Sequence, residues 1–225
     1  MNKTKIMAFT LVLSLMLLGA GYAAWSETAT INNSVGTGDL RVEFVDDCDH
    51  PRGGASQYVD FELTHGNKVT TVTMGKMYPG ALSVYELHIE NLGSIPALFN
   101  NVDVVFDASS SELLKDNLRV YGWVQHKRPG QSAPVAFVPV WSVPLRDLEG
   151  ALQTAMSGFN LLPGDYICFD VPDDAAKQQL AEEIPAYDPD TDNCLFFYLP
   201  ECVDDDLELQ CAQFDIIIDF KQFNQ

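Results

Sequence analysis

Apolar and polar residues alternate along much of the chain. In QFDIIIDFKQFNQ (213–225) the even-numbered positions from Phe214 to Phe220 are apolar, and they are separated by residues such as Asp215 and Asp219. The same period of two occurs in NVDVVFD (101–107) and DLRVEFV (39–45). Because successive side chains of a strand point to opposite faces, this pattern predicts β-strands with one face buried and one face in water.

The rest of the chain predicts more strands, with short helices between them. Turn sequences such as Pro79-Gly80 and Asn91-Leu92-Gly93-Ser94 punctuate it, since proline and glycine supply the backbone angles that turns need. Helices are predicted at 109–117, 144–158 and 172–184. Further strands are predicted at 57–63, 69–76, 82–90, 118–125, 135–141, 164–171 and 194–199. The order predicts an all-β fold over residues 37–225, an antiparallel jelly-roll β-sandwich with short helices in the connections.

The first residues have the pattern of an export signal. Lys3 and Lys5 precede an apolar run from Ile6 to Leu18, which is shorter than the roughly 20 residues that a membrane-spanning helix needs. Gly21-Tyr22-Ala23 fits the small-x-small rule for cleavage. Residues 1–24 are therefore predicted to be a cleaved signal peptide, with the mature N-terminus at Ala24 or Trp25. An uncleaved anchor is the alternative.

The net charge narrows the choice of partners. The chain carries −19 at pH 7, and loss of Lys3 and Lys5 with the leader makes it more negative by two charges. Nucleic acids and anionic lipid surfaces are negative too, so repulsion argues against both as partners. We expect contact with a membrane only transiently, through the leader.

The cysteines are better candidates for disulfide bonds than for metal ligands. No CxxC and no His-x-His spacing accompanies them, so a zinc site is not expected. Export permits disulfides, and the last three cysteines surround one predicted hairpin. The pairing stays open among Cys48, Cys168, Cys194, Cys202 and Cys211.

Other residues with reactive side chains have simple interpretations. His88 shares a strand face with Glu86 and Glu90, as a solvated histidine does. Asp188, Asp190 and Asp192 have the spacing of the first EF-hand ligands, but the glycine and glutamate of that loop are missing, which favours a solvated acidic loop. The chain also lacks HExxH, GxSxG and a glycine-rich phosphate loop. No catalytic residue, cofactor or metal is predicted, and the protein is expected not to be an enzyme.

The segment 25–36 has the pattern of a strand with one apolar face, which is buried only when the strand pairs with another strand. Its even positions are polar, and its apolar residues lie at odd positions: Trp25, Ala29, Ile31 and Val35. It ends at a predicted hinge formed by Gly36 and Gly38. Such a strand either pairs within its own sandwich or adds to the open sheet edge of a neighbouring molecule.

Four stretches, in this order, resemble the TasA/camelysin family of exported proteins from Gram-positive bacteria. They are LLGAGYAAWSE, VGTGDLRVEF, MGKMYPGALSVYELHIENLGSIPALFNNVDV and LELQCAQFDIIIDFKQFNQ. The resemblance implies leader removal by a dedicated signal peptidase, a jelly-roll fold and the role of a biofilm-matrix fibre subunit. It also implies that 25–36 pairs with a neighbour. The cysteines and residues 126–141 depart from the family's simpler members, and the zinc ligands of a camelysin-type protease are not recognisable.

The expected function is that of a secreted, non-enzymatic structural subunit. It would polymerise head to tail through residues 25–36 into extracellular biofilm-matrix filaments, with itself as partner, because heterologous contacts that do not close generate filaments. Two alternatives stay open. One is a monomeric cell-surface binding module that uses 126–141 with Phe137 and Trp141, and the other is a camelysin-type secreted metalloprotease.

Overall fold

The structure is a computed structural model that describes residues 3–23, 38–45, 54–55, 58–86, 88–189, 195–203, 208 and 210–222. The chain divides into two units, residues 1–37 and 38–225. In the first unit, helix α1 (Lys3–Ala23) covers the apolar run predicted as the leader. Among the described residues, no helix has both the length and the hydropathy needed to cross a membrane. Cleavage of the leader stays a prediction.

Antiparallel strands are the main regular structure of the second unit. In chain order they are β1 (Val42–Phe44), β2 (Gly54–Ala55), β3 (Asp60–His65), β4 (Val69–Met77), β5 (Leu82–Tyr85), β6 (His88–Asn91), β7 (Ala97–Phe106), β8 (Arg119–Lys127), β9 (Ala136–Pro144), β10 (Asn160–Leu161), β11 (Tyr166–Phe169), β12 (Leu195–Tyr198) and β13 (Gln210–Gln222). The helices are α2 (Glu112–Asn117), α3 (Leu148–Met156), which follows a 3-10 turn at Leu145–Asp147, and α4 (Asp174–Glu183).

The strands form two sheets that pack against each other. The five-stranded sheet has the order β10-β7-β13-β4-β3. The eight-stranded sheet has the order β1-β6-β11-β8-β12-β5-β2, and β9 also pairs with β8. Strand β11 pairs with the end of β8 and β12 with its start, while β9 pairs with β8 along most of its length. The predicted strand 82–90 is divided into β5, which pairs with β12, and β6, which pairs with β11. The predicted antiparallel β-sandwich is confirmed, whereas its jelly-roll connectivity stays a prediction.

Alternating side chains from both sheets form the main core. Phe214, Ile216 and Ile218 of β13 are buried, as the period of two predicts. From the opposite sheet, the ring of Phe197 lies 5.8 Å from that of Phe214. Burial of large apolar side chains of this kind stabilises the fold by roughly 1.5–3 kcal/mol each. This core holds the two sheets together.

A second apolar layer covers the outer face of the eight-stranded sheet. Ala176 and Leu180 of α4 pack with Tyr121, Trp123 and Phe196 of β8 and β12. As predicted, α4 lies in a connection, between β11 and β12. The sequence did not indicate that its apolar face also covers the sheet. Strands buried on both faces lose the period of two, and β12 is accordingly buried along its whole length.

The strand register defines the two ends of the sandwich. Val42 pairs with Asn91, and at the same level Glu90 pairs with Tyr166 and Tyr166 with Lys127. We call this end, where the second unit begins at Gly38, the arm end. It carries the connections 66–68, 92–96, 128–135, 157–159 and 162–165. The opposite end, which we call the far end, carries 78–81, 107–118 and the connection that follows β12.

The connection from β12 to β13 differs from its prediction. A hairpin was predicted around Cys194, Cys202 and Cys211. This is wrong because β12 belongs to the eight-stranded sheet and β13 to the five-stranded sheet. The chain therefore crosses between the sheets at the far end. Its sequence there is rich in acidic residues, from Glu201 to Glu208.

Candidate functional site

If the protein assembles by strand addition, its sheet edges are the candidate site. The edge of β7 is closed by α3 and β10. The backbone N–H of Val102 donates a hydrogen bond to Gln153 Oε1 at 3.0 Å, and that of Val104 donates to Glu149 Oε2 at 3.0 Å. Beyond them β10 pairs with the start of β7. Because these N–H groups already have acceptors, this edge offers little to an added strand.

The edges of the eight-stranded sheet are poor templates for a different reason. Its edge strand β9 contains Pro139 and Pro144, and Ser142 has a positive φ of 53° beside a shift of register. Prolines and bulges on an edge strand discourage pairing with another chain. On the opposite side, β1 and β2 are three and two residues long. The N–H of Phe44 in β1 also donates to the carbonyl of Asn67.

Strand β3 is the edge that stays open in the described part of the chain. There, only β4 pairs with it, residue against residue from Asp60 to His65. It contains no proline, and its alternating residues Phe61 and Leu63 pack against the main core. A strand added beside β3 would therefore continue the five-stranded sheet and extend its apolar inner face.

The chain enters the second unit through a tightly fixed segment at the arm end. The N–H of Asp39 donates to Ser94 Oγ at 2.9 Å, and the N–H of Ser94 donates back to the carbonyl of Asp39 at 2.8 Å. Arg41 Nη2 donates to the carbonyl of Leu92 at 3.1 Å. A β-carbon at Gly38 would lie 1.9 Å from Ile95 Cγ2. Glycine is therefore needed at position 38 for close packing, while the hinge at Gly36 and Gly38 stays a prediction.

A buried polar network supports the loop that holds this segment. The Nδ2 of Asn91 donates to the carbonyls of Ile95 and Leu161, both at 2.9 Å, while Asn91 Oδ1 accepts from the N–H of Gly93 at 3.0 Å. The N–H of Asn91 donates to the carbonyl of Asp165. Because Asn91 is fully buried and satisfies these groups, the loop 92–96 is fixed to the core.

His126 and Asp165 extend the same network. His126 Nε2 lies 3.0 Å from Asp165 Oδ2, and the N–H of Leu162 donates to the same oxygen at 3.1 Å. Arg128 Nε approaches this oxygen at 3.4 Å. A histidine beside a carboxylate resembles part of a catalytic triad. The side chains of His126 and Asp165 are only 5% and 4% exposed, and the bond from the N–H of Leu162 to Asp165 fixes the turn 162–165.

The outer face near the arm end carries Cys168 among polar neighbours. Cys168 lies opposite His88 on β6 and Gln125 on β8, and Lys127 forms an ion pair with Asp170. Burial raises the pKa of the Cys168 thiol to about 11, although the charge of Lys127 acts in the other direction. A thiol with so high a pKa stays protonated at neutral pH and is a poor nucleophile. The predicted solvated His88 is half-buried and stacks on Tyr166 with ring centroids 4.6 Å apart.

Many of the predicted site residues lie outside the described residues. This holds for Cys48, Cys194 and the segment 25–36, including Trp25, Ala29, Ile31, Val35 and Gly36. Cys168, Cys202 and Cys211 are described, and each is a free thiol. Of the acidic loop, Asp188 is described while Asp190 and Asp192 are not. Among the described residues, no group of three or more histidine, cysteine or acidic side chains could hold a metal ion.

The two aromatic residues of 126–141 have different surroundings. Phe137 is 54% exposed. Trp141 instead packs on Tyr121 and Trp123, with ring centroids 5.2 and 5.3 Å away. Its half-buried ring therefore belongs to the second apolar layer, and Phe137 alone of the pair is presented to solvent.

Sequence reasoning missed the residues that fix the arm end. Asn91, Gly93 and Ser94 were interpreted as a turn only, although an asparagine directly after an apolar strand and before Leu-Gly-Ser was a usable signal. Comparison with protein-family models, with curated proteins and with solved structures finds no match. The resemblance to the TasA/camelysin family therefore rests on the four sequence stretches alone.

Proposed function

We propose that the protein is a secreted, non-enzymatic structural subunit whose residues 25–36 add as a strand to the open edge of β3 in a neighbouring copy. Repetition of this contact would build extracellular filaments of a biofilm matrix. The observation that carries the proposal is the edge of β3. It is six residues long, free of proline and without a second strand beside it in the described part of the chain.

The sequence of 25–36 suits that edge. Its polar residues occupy one face and its apolar residues the other, so pairing with β3 would place Ile31 and Val35 on the side where Phe61 and Leu63 meet the core. Burial of Ile31 and Val35 contributes roughly 1.5–3 kcal/mol each, and ladder hydrogen bonds add to it. The leader and a jelly-roll connectivity of the sandwich belong to the same proposal.

The test compares two aspartate substitutions in the mature protein. Ile31→Asp places a charge on the apolar face, where burial without a partner costs several kcal/mol. Thr30→Asp adds the same charge on the polar face and serves as the matched control. Electron microscopy and sedimentation should show filaments for the wild type and for Thr30→Asp, but monomers with an unchanged circular dichroism spectrum for Ile31→Asp.

Pairing of 25–36 within its own sandwich predicts a different result. Ile31→Asp would then lower the melting temperature of the monomer itself, and the Thr30→Asp control would not. A variant that melts early and still forms filaments contradicts strand exchange. The experiment therefore distinguishes pairing within the same subunit from pairing with a neighbouring copy.

A cell-surface binding module is the second candidate. The exposed ring of Phe137 favours it, but Trp141, the other aromatic residue of that surface, is engaged in the second apolar layer. A mature protein that stays monomeric in the assembly test while it binds intact cells, with binding lost in Phe137→Ser, would favour this candidate.

A further inference from the structure

The sequence that links the proposed donor strand to the body of its own subunit is very short. Thr37 alone lies between Gly36, where the segment ends, and Gly38, which is fixed against Ile95. One extended residue spans only about 3.3–3.6 Å. If 25–36 lies in a neighbour, the body of that neighbour must therefore contact the arm end.

The direction of pairing decides which part of the neighbour lies there. Every ladder in the described sheets is antiparallel. Strand β3 runs from the far end at Asp60 to the arm end at His65, because its register with β4 places Asp60 beside Gly75 and His65 beside Thr70. An antiparallel donor ends beside Asp60. The arm end of the donor subunit then meets the far end of the acceptor.

From this geometry, which rests on the proposed function, we infer that the arm end of one copy and the far end of the next form a second contact surface of the filament. The occupant of each surface is thus another copy of this chain. Two properties of the described surface support the inference, its apolar side chains and its charge.

The arm end presents an apolar side chain on each connection of the eight-stranded sheet. Leu40 precedes β1, Leu92 follows β6, Val135 precedes β9 and Leu162 precedes β11, and each is between 37% and 44% exposed. Single exposed apolar residues are ordinary on a protein surface, and a contact with another copy at this end would cover all four. We call these four residues the apolar rim.

The two ends differ in charge. The arm end is close to neutral, because its basic residues are matched by Asp39, Glu43, Glu90, the buried Asp165 and Asp170, which pairs with Lys127; the basic residues are Arg41, Lys68, Lys127, Arg128 and Lys221. At the far end, acidic residues predominate over Lys76, Lys115, Arg119 and Arg146: Asp60, Asp107, Glu112, Asp116, Asp147, Glu201 and Glu208. Contact between the lysines of the arm end and this acidic surface is favourable, whereas two far ends repel each other.

The test reverses charge on each end of the mature protein separately and then on both. Lys68→Glu with Lys221→Glu makes the arm end acidic, and Glu201→Lys with Glu208→Lys makes the far end basic. Each pair should raise the critical concentration for filament formation at least about tenfold. The protein with all four changes regains complementary ends, and its critical concentration should return to within about threefold of the wild type.

The apolar rim is tested separately. Val135→Ser with Leu162→Ser should also raise the critical concentration, whereas Val105→Ser, on an exposed β7 side chain, should not.

Controls distinguish this inference from the proposed function. Glu182→Lys with Glu183→Lys changes the net charge on α4 by the same amount and sign as the far-end pair and should leave the critical concentration unchanged. Thermal melting monitored by circular dichroism checks that every variant is folded. If charge-reversed pairs assemble like the wild type while Ile31→Asp does not, or if the fourfold variant assembles no better than the pairs, the end-to-end contact is overturned and strand addition survives. A wild-type protein that is monomeric at every salt and protein concentration overturns both.

Discussion

Gly93 passes so close to Asp39 that a β-carbon at position 93 would lie 2.3 Å from the carbonyl oxygen of Asp39. It would also lie 2.7 Å from the backbone nitrogen of Arg41. Both obstacles are backbone atoms, which cannot rotate away as the end of a side chain can. The glycine therefore allows the segment that starts at Gly38 to lie against the loop 92–96.

The first prediction is that Gly93→Ala destabilises the second unit, because one of the two backbones has to move. We expect a loss of about 1–3 kcal/mol in the free energy of unfolding, measured by urea denaturation. Gly150→Ala is the matched control, since a β-carbon there meets nothing within 4 Å in α3. Alanine in a helix should stabilise by roughly 0.5–1 kcal/mol. Equal effects of the two substitutions would contradict this account.

The second prediction concerns the contact between the sheets. Phe214 is 1% exposed and lies between Phe106 and Phe197, with ring centroids 5.5 and 5.8 Å away. Phe214→Ala leaves a cavity between the sheets and should cost about 3–5 kcal/mol. The same substitution at Phe137 removes an exposed ring, so its effect should stay within about 0.5 kcal/mol. Chemical denaturation of both variants gives the comparison.

The third prediction tests how α3 closes the β7 edge. Glu149→Ala and Gln153→Ala each remove the acceptor of a β7 backbone N–H group, at Val104 and Val102. Each should cost about 1 kcal/mol, and amide hydrogen exchange at these two positions should become faster. Gln178→Ala, on the exposed side of α4, is the control. Unchanged exchange at Val102 and Val104 would mean that the side chains do not protect the edge.

How well the sequence predicted each element depended on whether one face of that element is in water. Strand β13 alternates because its outer face is solvated, and its buried residues were predicted correctly. Strand β12 carries Leu195, Phe196, Phe197 and Tyr198 without alternation because α4 covers its outer face. The strand itself was predicted from its apolar residues, but nothing local in the sequence indicates which helix covers it.

The candidate site was less predictable than the fold. Alternation identified 25–36 as a strand that needs a partner, but the open edge of β3 is a property of the sheet order, which depends on contacts between residues far apart in sequence. The close contacts of Gly38 and Gly93 likewise could not be predicted from the sequence. A glycine at a hinge and a glycine packed closely against a side chain or a backbone are identical in the sequence.

The last prediction concerns Cys168, whose thiol differs from those of Cys202 and Cys211. Burial raises its pKa to about 11 from an ordinary value of 9.0, while Cys202 and Cys211 are exposed. Brief alkylation with iodoacetamide at pH 8, followed by peptide mass spectrometry, should label Cys202 and Cys211 first. Cys168 should react only after unfolding, because the thiolate is the reactive form. Rapid labelling of Cys168 in the folded protein would contradict the assignment.

The raised pKa of Cys168 also has a consequence for stability at high pH. Between pH 9 and about 11 the unfolded chain loses this proton while the folded chain keeps it, so the free energy of unfolding falls as the pH rises. The slope approaches about 1.4 kcal/mol per pH unit for one group. In Cys168→Ala the thiol is gone, and this part of the alkaline destabilisation should be absent. Urea denaturation of both proteins at pH 8, 9, 10 and 11 measures it, and parallel curves for the two would show that the thiol is not what titrates.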